Sequence, residues 1–369
     1  MQKQRIVIKL GTSTLTQGGT DLSVEHILEF VRVIARLHQQ GHELVLVSSG
    51  AMAVGKATLG YPTLPKYMPA KQMLASIGQT RLMELYSQLF GIYNITVGQV
   101  LLTREDLAHR RRYLNARNTL EALLQYRVVP VINENDTVST EEIRLGDNDN
   151  LSALVANIVE ADLLVLLTDQ DGLYTADPRT HSDARLISEI STAEIPKDYW
   201  LAAGGSVSGL GTGGMLTKLQ AADLARRSGC IVVISNGRFP ERIFKIAAGK
   251  QFGTRFLPLI SKMESRKRFM LAEANHCNGS IVIDDGAAAA IRGGGSLLPV
   301  GITHLQGQFQ RGDVVHIRDH QEKDVCLGMV NYGSSDLIKI IGHHSQDIEN
   351  TLGFSYGEEV MHHNNLLFV

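Results

Sequence analysis

Continuous apolar runs alternate with amphipathic runs through the first two thirds of this chain. The short apolar runs predict strands, and the longer runs with apolar residues at helical spacing predict helices. The predicted strands are Arg5–Leu10, Glu43–Ser48, Thr96–Leu101, Val128–Ile132, Leu163–Thr168 and Cys230–Ser235. The predicted helices are Val24–Gln40, Ala70–Phe90, Asn115–Tyr126, Leu151–Glu160 and Lys218–Arg227. Strands that are apolar on both faces are typical of parallel sheets, so we predict an α/β domain with a mainly parallel central sheet and ligand sites beyond the carboxyl ends of its strands.

The pattern changes after Ile260. Residues Ser261–Arg268 are polar and basic, which favours a linker, and the apolar runs beyond them are short and divided by turn residues. We therefore predict a larger domain over residues 1–260, a linker over 261–271, a small, mainly β domain over 272–354 and a tail over 355–369. The tail is interpreted as a loose end or as a strap between subunits.

Composition restricts the class of protein. The chain has 369 residues, of which 44% are hydrophobic and 20% charged, and this balance is typical of soluble globular proteins. No apolar run reaches the length of a membrane span. The formal net charge of -2 gives no general attraction to nucleic acid. Three scattered cysteines, Cys230, Cys277 and Cys326, disfavour a disulfide framework or a zinc site and favour a reducing cytoplasm.

A glycine-rich segment over Gly204–Lys218 is the strongest chemical signal in the sequence. Glycines allow the backbone to approach a ligand, and successive N–H groups form a site for an anion. The residues from Thr217 onward have helical spacing, so a helix N-terminus is expected at the same place. We interpret the segment as a phosphate site that includes Lys218, although it lacks the Gly-Lys-Ser/Thr of a Walker A motif. A flexible surface loop is the alternative.

Polar and glycine residues also follow the predicted strands. Lys9 lies at the end of the first strand and Gly11 follows it, a pair suited to contact a phosphate, with an ordinary surface lysine as the alternative. The small residues Ser48–Gly55 follow the second strand and predict either a turn that presents N–H groups to an anion or an ordinary strand-to-helix turn.

Two clusters of Asp and Asn residues follow later strands. They occupy Asn133–Asp136 and Gly146–Ser152, and their side chains are suited to bind an ammonium group, to orient a lysine or to hold Mg²⁺ through water. The segment Thr168–Pro178 has the start of a calcium loop but no glutamate at its twelfth position, so we interpret it as a nucleotide-contacting loop. The pairs His343-His344 and His362-His363 lack a ligand set at metal spacing and are interpreted as surface residues.

Together, these motifs resemble the amino acid kinase family. The matching segments keep their order over Ile6–Pro258: KLGTS at Lys9–Ser13, SSGAMAVG at Ser48–Gly55, NENDTV at Asn133–Val138, GDNDNLSA at Gly146–Ala153, TDQDGLYTADPR at Thr168–Arg179 and SGLGTGGMLTKLQAA at Ser208–Ala222. Ser48 stands where the family often has threonine, and Leu216 where it often has serine. The segments SLLPVGI at Ser296–Ile302 and RGDVV at Arg311–Val315 resemble a PUA domain.

The resemblance implies a three-layer α/β/α sandwich followed by the small PUA domain. It also implies transfer of a phosphoryl group from ATP to the γ-carboxylate of L-glutamate, with Mg²⁺ held by the ATP phosphates and not by protein side chains. The implied catalytic residues are Lys9, Lys218 and Asp149, and the implied substrate residues are Ser49, Asp136 and Asn148. The implied nucleotide residues are Lys9, Gly11, Thr168, Asp169, Thr212, Gly213, Gly214, Met215, Leu216, Thr217 and Lys218.

Partners follow from the same resemblance. It implies a cytoplasmic homo-oligomer, either a dimer or a tetramer, that is inhibited by L-proline as the end product of proline biosynthesis and is functionally coupled to glutamyl phosphate reductase. No membrane association is expected, and RNA binding by the PUA domain stays open.

Three alternatives stay open at the level of sequence. The first is another kinase of the same fold, acting on acetylglutamate, aspartate, uridylate or carbamate. The second is an RNA-binding protein with a vestigial kinase domain, which the absence of an aromatic-basic patch disfavours. The third is a regulatory amino acid sensor without catalysis, which would be expected to lack Lys9 or Lys218, and both are present.

Overall fold

The computed structural model describes residues 3–65, 67–139, 147–204, 214–274 and 279–368, and the chain divides into two compact units. The first unit comprises Met1–Ala108 and Asn115–Lys262, and the second comprises His109–Leu114 and Met263–Val369. None of the described helices combines the length and the apolarity that crossing a bilayer requires.

The strands and helices of the first unit alternate along the chain. Its strands are β1 Arg5–Leu10, β2 Glu43–Ser48, β3 Val97–Leu102, β4 Val129–Glu134, β5 Leu163–Thr168, β6 Glu189–Ile190, β7 Ile231–Asn236 and β8 Thr254–Phe256. Its helices are α1 Thr12–Thr16, α2 Val24–Gln39, α3 Ala51–Thr58, α4 Met68–Gly91, α5 Arg104–Ala108, α6 Arg110–Gln125, α7 Asp147–Ile158, α8 Lys197–Ala202, α9 Met215–Arg226 and α10 Glu241–Ala247. The first residues of α6 belong to the second unit.

The eight strands form one sheet in the order β3-β4-β2-β1-β5-β7-β8-β6. Strand β1 pairs in parallel with β2 on one side and with β5 on the other, and only the β7–β8 pair is antiparallel among the pairs that the described residues form in this sheet. The predicted mainly parallel sheet is therefore confirmed.

Helices cover both faces of this sheet. On one face, α2, α4 and α10 pack against alternate strand residues, with Phe30, Tyr86 and Ile243 buried against Ile8 and Val165. On the other face, α7 contacts β1, β2, β4 and β5, while α9 contacts β7. Because successive strand side chains point to opposite faces, the central strands are buried throughout, which explains their unbroken apolar sequences.

The chain order places a topological switch at β1. The strands that follow β1 first build outward through β2, and the chain later returns to add β5 on the other side of β1. The turns after neighbouring parallel strands diverge at such a point and leave a crevice at the carboxyl edge of the sheet. Lys9 lies at this edge, paired with Val47 of β2 and Leu166 of β5.

The second unit contains a five-stranded sheet in the order β10-β9-β11-β12-β13. Its strands are β9 Ser280–Ile283, β10 Ile302–Gln306, β11 Val314–Arg318, β12 Asp324–Met329 and β13 Leu366–Phe368. Its helices are α11 Lys262–Ala274, α12 Asp285–Arg292, α13 Ser334–Ile340 and α14 Ile348–Leu352, with 3₁₀ turns at Pro299–Gly301, Ser345–Asp347 and His363–Asn365. The predicted small C-terminal domain with a mostly β sheet is present, and helices accompany its strands.

Two segments differ from the sequence-based expectation. The polar segment interpreted as a linker begins helix α11, whose Met270 is buried beside Val314 and Met329. The tail is not a loose end, because β13 pairs with β12 and Met361 is fully buried. In both segments a few apolar side chains are buried in the core of the second unit. Their burial stabilises regular structure in a segment whose local composition is polar.

Candidate active site

Two lysines meet one carboxylate at the carboxyl edge of the sheet. Lys9 at the end of β1 places its Nζ 2.7 Å from Oδ1 of Asp149, and Lys218 in the first turns of α9 places its Nζ 3.2 Å from Oδ2. Asp149 has no exposed surface, and the two lysines are 3% and 4% exposed. The structure thus brings together three residues that are 140 and 69 positions apart along the chain.

The carboxylate of Asp149 is held ionised by its partners. Burial on its own would raise its pKa, but the charges of Lys9 and Lys218 outweigh burial and lower the pKa to about 2. Burial lowers the pKa of Lys9, an effect that Asp149 opposes and Lys218 reinforces. The hydroxyl of Thr217 lies 2.7 Å from Oδ2 of Asp149 and can donate to it. Asp149 is therefore a fixed anchor between two ammonium groups and is poorly suited to accept a proton.

The cluster has more positive than negative charge. Among the described side chains of this cluster, Lys9 and Lys218 carry two positive charges and Asp149 carries one negative charge, and burial of unequal charges favours the binding of an anion. Space beside the lysine depends on Gly11, since a Cβ at that position would lie 3.2 Å from Nζ of Lys9. These residues fit a phosphoryl group, whose negative charge suits two neighbouring ammonium groups.

The first turn of α7 connects this cluster to a second polar group. Consecutive helical residues point about 100° apart, so Asn148 faces a different neighbour from Asp149. Its Nδ2 donates to Oγ of Ser49 at 2.9 Å and to Oδ1 of Asn133 at 2.9 Å. A ligand that spans these two groups would meet cations at one end and neutral amides and a hydroxyl at the other.

Ser49 lies in the turn that joins β2 to α3. Gly50 has a φ of 101°, a left-handed conformation that glycine adopts without strain, and it precedes α3 directly. Ser48 is fully buried, and its Oγ lies 2.8 Å from Oη of Tyr86 on α4. Burial raises the pKa of Tyr86, which keeps the phenol neutral. A hydrogen bond between two neutral groups therefore holds this turn against α4.

Apart from Lys9 and Gly11 at the end of β1, the predicted nucleotide residues that the structure describes lie at the end of β5, in the turn after it and at the start of α9. Thr168 is buried at the end of β5 and its hydroxyl donates to the carboxylate of exposed Asp169. Gly214 precedes α9, and Met215, Leu216, Thr217 and Lys218 form its first turn. Thr212 and Gly213, together with most of the glycine-rich segment, lie outside the described residues.

Asp136 follows β4 in the same motif as Asn133. It is half-buried in the turn that follows β4, where the Val138 amide donates to the Asn135 carbonyl at 3.2 Å. This turn leaves the same edge of the sheet as Asn133. The contribution of Asp136 to a substrate site therefore stays a prediction.

Two residues of the polar group were not assigned from the sequence. Asn133 belongs to the motif Asn133–Asp136, from which the family resemblance implies only Asp136 as a substrate residue. Gln79 on α4 accepts a hydrogen bond from Nδ2 of Asn133 at 2.8 Å. The nearest sequence signal is Gly78, a glycine inside a helix, which indicates close packing at this point of α4. Among the described residues, no group of three or more His, Cys, Asp or Glu side chains is placed to hold a metal.

Comparison with known proteins assigns the family. The model of the amino acid kinase family matches residues 4–236, and that of the PUA domain matches residues 279–352. A carbamate kinase from Giardia lamblia bound to AMP-PNP superposes with a TM-score of 0.51 at 18% identity, covering 69% of this chain and 99% of its own, which shows a shared fold. The chain belongs to the amino acid kinase family.

Two relatives are similar over their whole length. A glutamate 5-kinase from Photobacterium profundum is 52% identical over all of this chain and 97% of its own. A glutamate 5-kinase from Photorhabdus laumondii is 51% identical over 99% of this chain and 98% of its own. Within the family, this chain is therefore most informatively compared with glutamate 5-kinases.

Proposed function

We propose that the chain transfers the γ-phosphoryl group of ATP to the γ-carboxylate of L-glutamate, which yields ADP and L-glutamyl 5-phosphate. The observation that carries this proposal is the buried Lys9–Asp149–Lys218 cluster with its excess positive charge, beside the neutral amides around Asn148. The names of the relatives favour glutamate among the possible acceptors.

The chemistry requires alignment more than proton transfer. A γ-carboxyl group with an ordinary pKa of about 4.3 is already ionised at neutral pH, so its oxygen can attack the γ-phosphorus without a general base. The new P–O bond forms as the bond to the β-phosphate oxygen breaks, and ADP leaves. Lys9 and Lys218 stabilise the charge on the transferring group, and Asp149 keeps the two ammonium groups in place.

The remaining site residues are proposed to bind the two substrates. Main-chain N–H groups near Gly11 and Gly214 donate to the phosphates, and Thr168 and Asp169 contact the nucleotide. Ser49, Asp136 and Asn148 bind glutamate, with Asp136 facing its ammonium group. Mg²⁺, supplied with ATP, would neutralise phosphate charge, and we assign it no protein ligand because Asp149 already pairs with two lysines.

Comparing four acceptors tests this function. With Mg-ATP and hydroxylamine, glutamate should yield the γ-hydroxamate, because the amine traps an acyl phosphate. ADP release should be fastest with glutamate and slower with N-acetylglutamate, aspartate or UMP. Faster turnover of one of these three would assign the chain to another activity of the family.

The place in metabolism and the regulation are part of the same proposal. The product belongs to proline biosynthesis, and coupling to glutamyl phosphate reductase would consume an acyl phosphate before water does. L-Proline shares the α-carboxylate and amino group of glutamate but has no γ-carboxylate, so it can occupy the groups around Ser49 and Asn148 without reacting. A cytoplasmic homo-oligomer, dimer or tetramer, completes the proposal.

A further inference from the structure

Three amide side chains, those of Gln79, Asn133 and Asn148, are linked by hydrogen bonds beside the turn after β2. One main-chain N–H group determines which atom of each amide is the donor and which the acceptor. The amide N–H of Glu134 donates to Oδ1 of Asn133 at 2.9 Å, which identifies that atom as the oxygen. Nδ2 of Asn133 must then be the atom that donates to Oε1 of Gln79, at 2.8 Å. By the same argument, the atom of Asn148 that lies 2.9 Å from Oδ1 of Asn133 is its Nδ2.

With the amides oriented in this way, one amide nitrogen and one amide oxygen are not used by the hydrogen bonds among the three side chains. Within the described part of the chain, the buried Nε2 of Gln79 and the buried Oδ1 of Asn148 have no hydrogen-bond partner. A buried amide group without a partner is destabilising, so such groups in a native fold call for an explanation. Turning either amide over would place like atoms against each other at Asn133, so rotation does not remove the two unmatched groups.

Close packing brings Gln79 to the edge of the sheet. At the preceding residue, Gly78, a Cβ would lie 1.7 Å from the carbonyl oxygen of Ala51, in the first turn of α3. Helix α4 therefore touches α3 two residues after Ser49. Further along α4, Tyr86 contacts Ser48, so the helix is held against this turn at two points.

We propose that Gln79 is a substrate-binding residue whose Nε2 donates to the α-carboxylate of the bound amino acid, while Oδ1 of Asn148 accepts from its ammonium group. This inference rests on the proposed function, because it needs an α-amino acid as acceptor. The free donor and the free acceptor match the two charged groups at that end of the molecule. The γ-carboxylate of the substrate would then lie toward Lys9 and Lys218. These lysines pair with Asp149, whose side chain leaves α7 in a different direction from that of Asn148.

The variant Gln79→Glu tests the donor specifically. One carboxylate oxygen can still accept from Asn133, so the contact within the protein is kept, but the donor to the substrate becomes an anion. The KM for glutamate should rise about tenfold to hundredfold, because hydrogen bonds to charged groups are among the stronger ones, while the KM for ATP stays nearly the same. The matched control is Gln88→Glu, the same charge change at an exposed position of the same helix.

A second substrate separates binding from a general structural effect. The α-amide of glutamate, isoglutamine, keeps the γ-carboxylate and the ammonium group but replaces the α-carboxylate by a neutral amide. In the wild-type protein the KM for isoglutamine should exceed the KM for glutamate. In Gln79→Glu the ratio of the KM for isoglutamine to the KM for glutamate should be smaller, and it can fall below one. If Nε2 of Gln79 donates to a bound water and not to the α-carboxylate, the ratio should be the same in the variant as in the wild-type protein. That result would overturn the inference.

Two further outcomes are decisive. If Gln79→Glu does not fold, Gln79→Met serves instead, since it also removes the donor, and an unchanged ratio of KM values in that variant would overturn the inference. If wild-type protein forms no γ-hydroxamate from glutamate, the proposed function fails before any variant is compared. Wild-type turnover of glutamate with an unaltered KM in a folded Gln79→Glu variant would reject the role of Gln79 alone.

Discussion

At the scale of single residues, the two lysines are the most direct test of phosphoryl transfer. Lys9→Met or Lys218→Met keeps an unbranched side chain of similar length but removes a cation from the buried cluster. The loss of one such electrostatic group costs on the order of 3 kcal/mol, or about 10²-fold in rate. We expect this loss mainly in kcat, measured by ADP release.

The control for the lysine variants is Lys56→Met, an exposed lysine on α3. It should leave kcat within about twofold of wild type, as expected for a surface substitution away from the site. A folded Lys9→Met or Lys218→Met protein with wild-type kcat would exclude that lysine from the transfer step.

Asp136 tests the substrate end of the site. Asp136→Ala should raise the KM for glutamate and leave the KM for ATP nearly unchanged, because its carboxylate is proposed to meet only the ammonium group. L-Proline should compete with glutamate in the wild-type protein, and the variant should lose sensitivity to both molecules together. Steady-state kinetics at several glutamate concentrations measure this, and inhibition by proline that no glutamate concentration relieves would indicate a separate proline site.

At the scale of elements, the contact between α3 and α4 positions the substrate end. Gly78→Ala would place a Cβ 1.7 Å from the Ala51 carbonyl oxygen and 2.6 Å from the Gly55 nitrogen, so the two helices must separate. Because α3 follows Ser49 and α4 carries Gln79, we expect a higher KM for glutamate together with a Tm lower by roughly 5–10 °C.

Gly91→Ala is the matched substitution for this contact. Gly91 ends the same helix, and a Cβ there would meet nothing within 4 Å. Alanine also has a higher helix propensity than glycine, so the Tm of the Gly91→Ala variant should equal or slightly exceed that of the wild-type protein. Thermal unfolding of both variants decides the matter, and equal Tm values for the two would show that the helices adjust without cost.

At the scale of the whole molecule, the two units suggest where the chain can be shortened. A chain stopped after Met263 retains Lys262, whose Nζ donates to the Glu160 carbonyl at 2.6 Å and pairs with Asp162. Every proposed site residue precedes this point, so we expect a folded core with measurable kinase activity and altered regulation or assembly. Circular dichroism and ADP release check this expectation.

The shortened chain has one foreseeable weakness. His109–Leu114 belongs to the second unit, where Leu114 is buried beside Val314 and Leu327 and Arg110 pairs with Asp313 at 2.8 Å. Without these partners Leu114 becomes exposed, and Leu114→Gln should then improve the solubility of the short form. A soluble, folded short chain without any activity would show that the C-terminal unit is needed to complete the active site.

The sequence by itself determined the central sheet and most of its helices. Strands β1, β2 and β5 begin and end where predicted, because strands buried on both faces favour apolar side chains at successive positions. The boundaries were less accurate where polar residues start a helix. Helix α7 begins at Asp147, four residues before the predicted Leu151, because its first turn is made of Asp and Asn side chains that carry no apolar periodicity.

The tertiary structure alone decided which polar side chains meet. Lys9 and Lys218 were identified as separate cations, but their sharing of the two oxygens of Asp149 depends on how α7 and α9 pack. Gln79 was not found at all, since its position in a long helix looks like that of any other half-buried glutamine. Local sequence determines strands and helices because their hydrogen bonds and burial repeat with a short period, whereas a site joins residues from distant elements, and only the packing of those elements sets their distances.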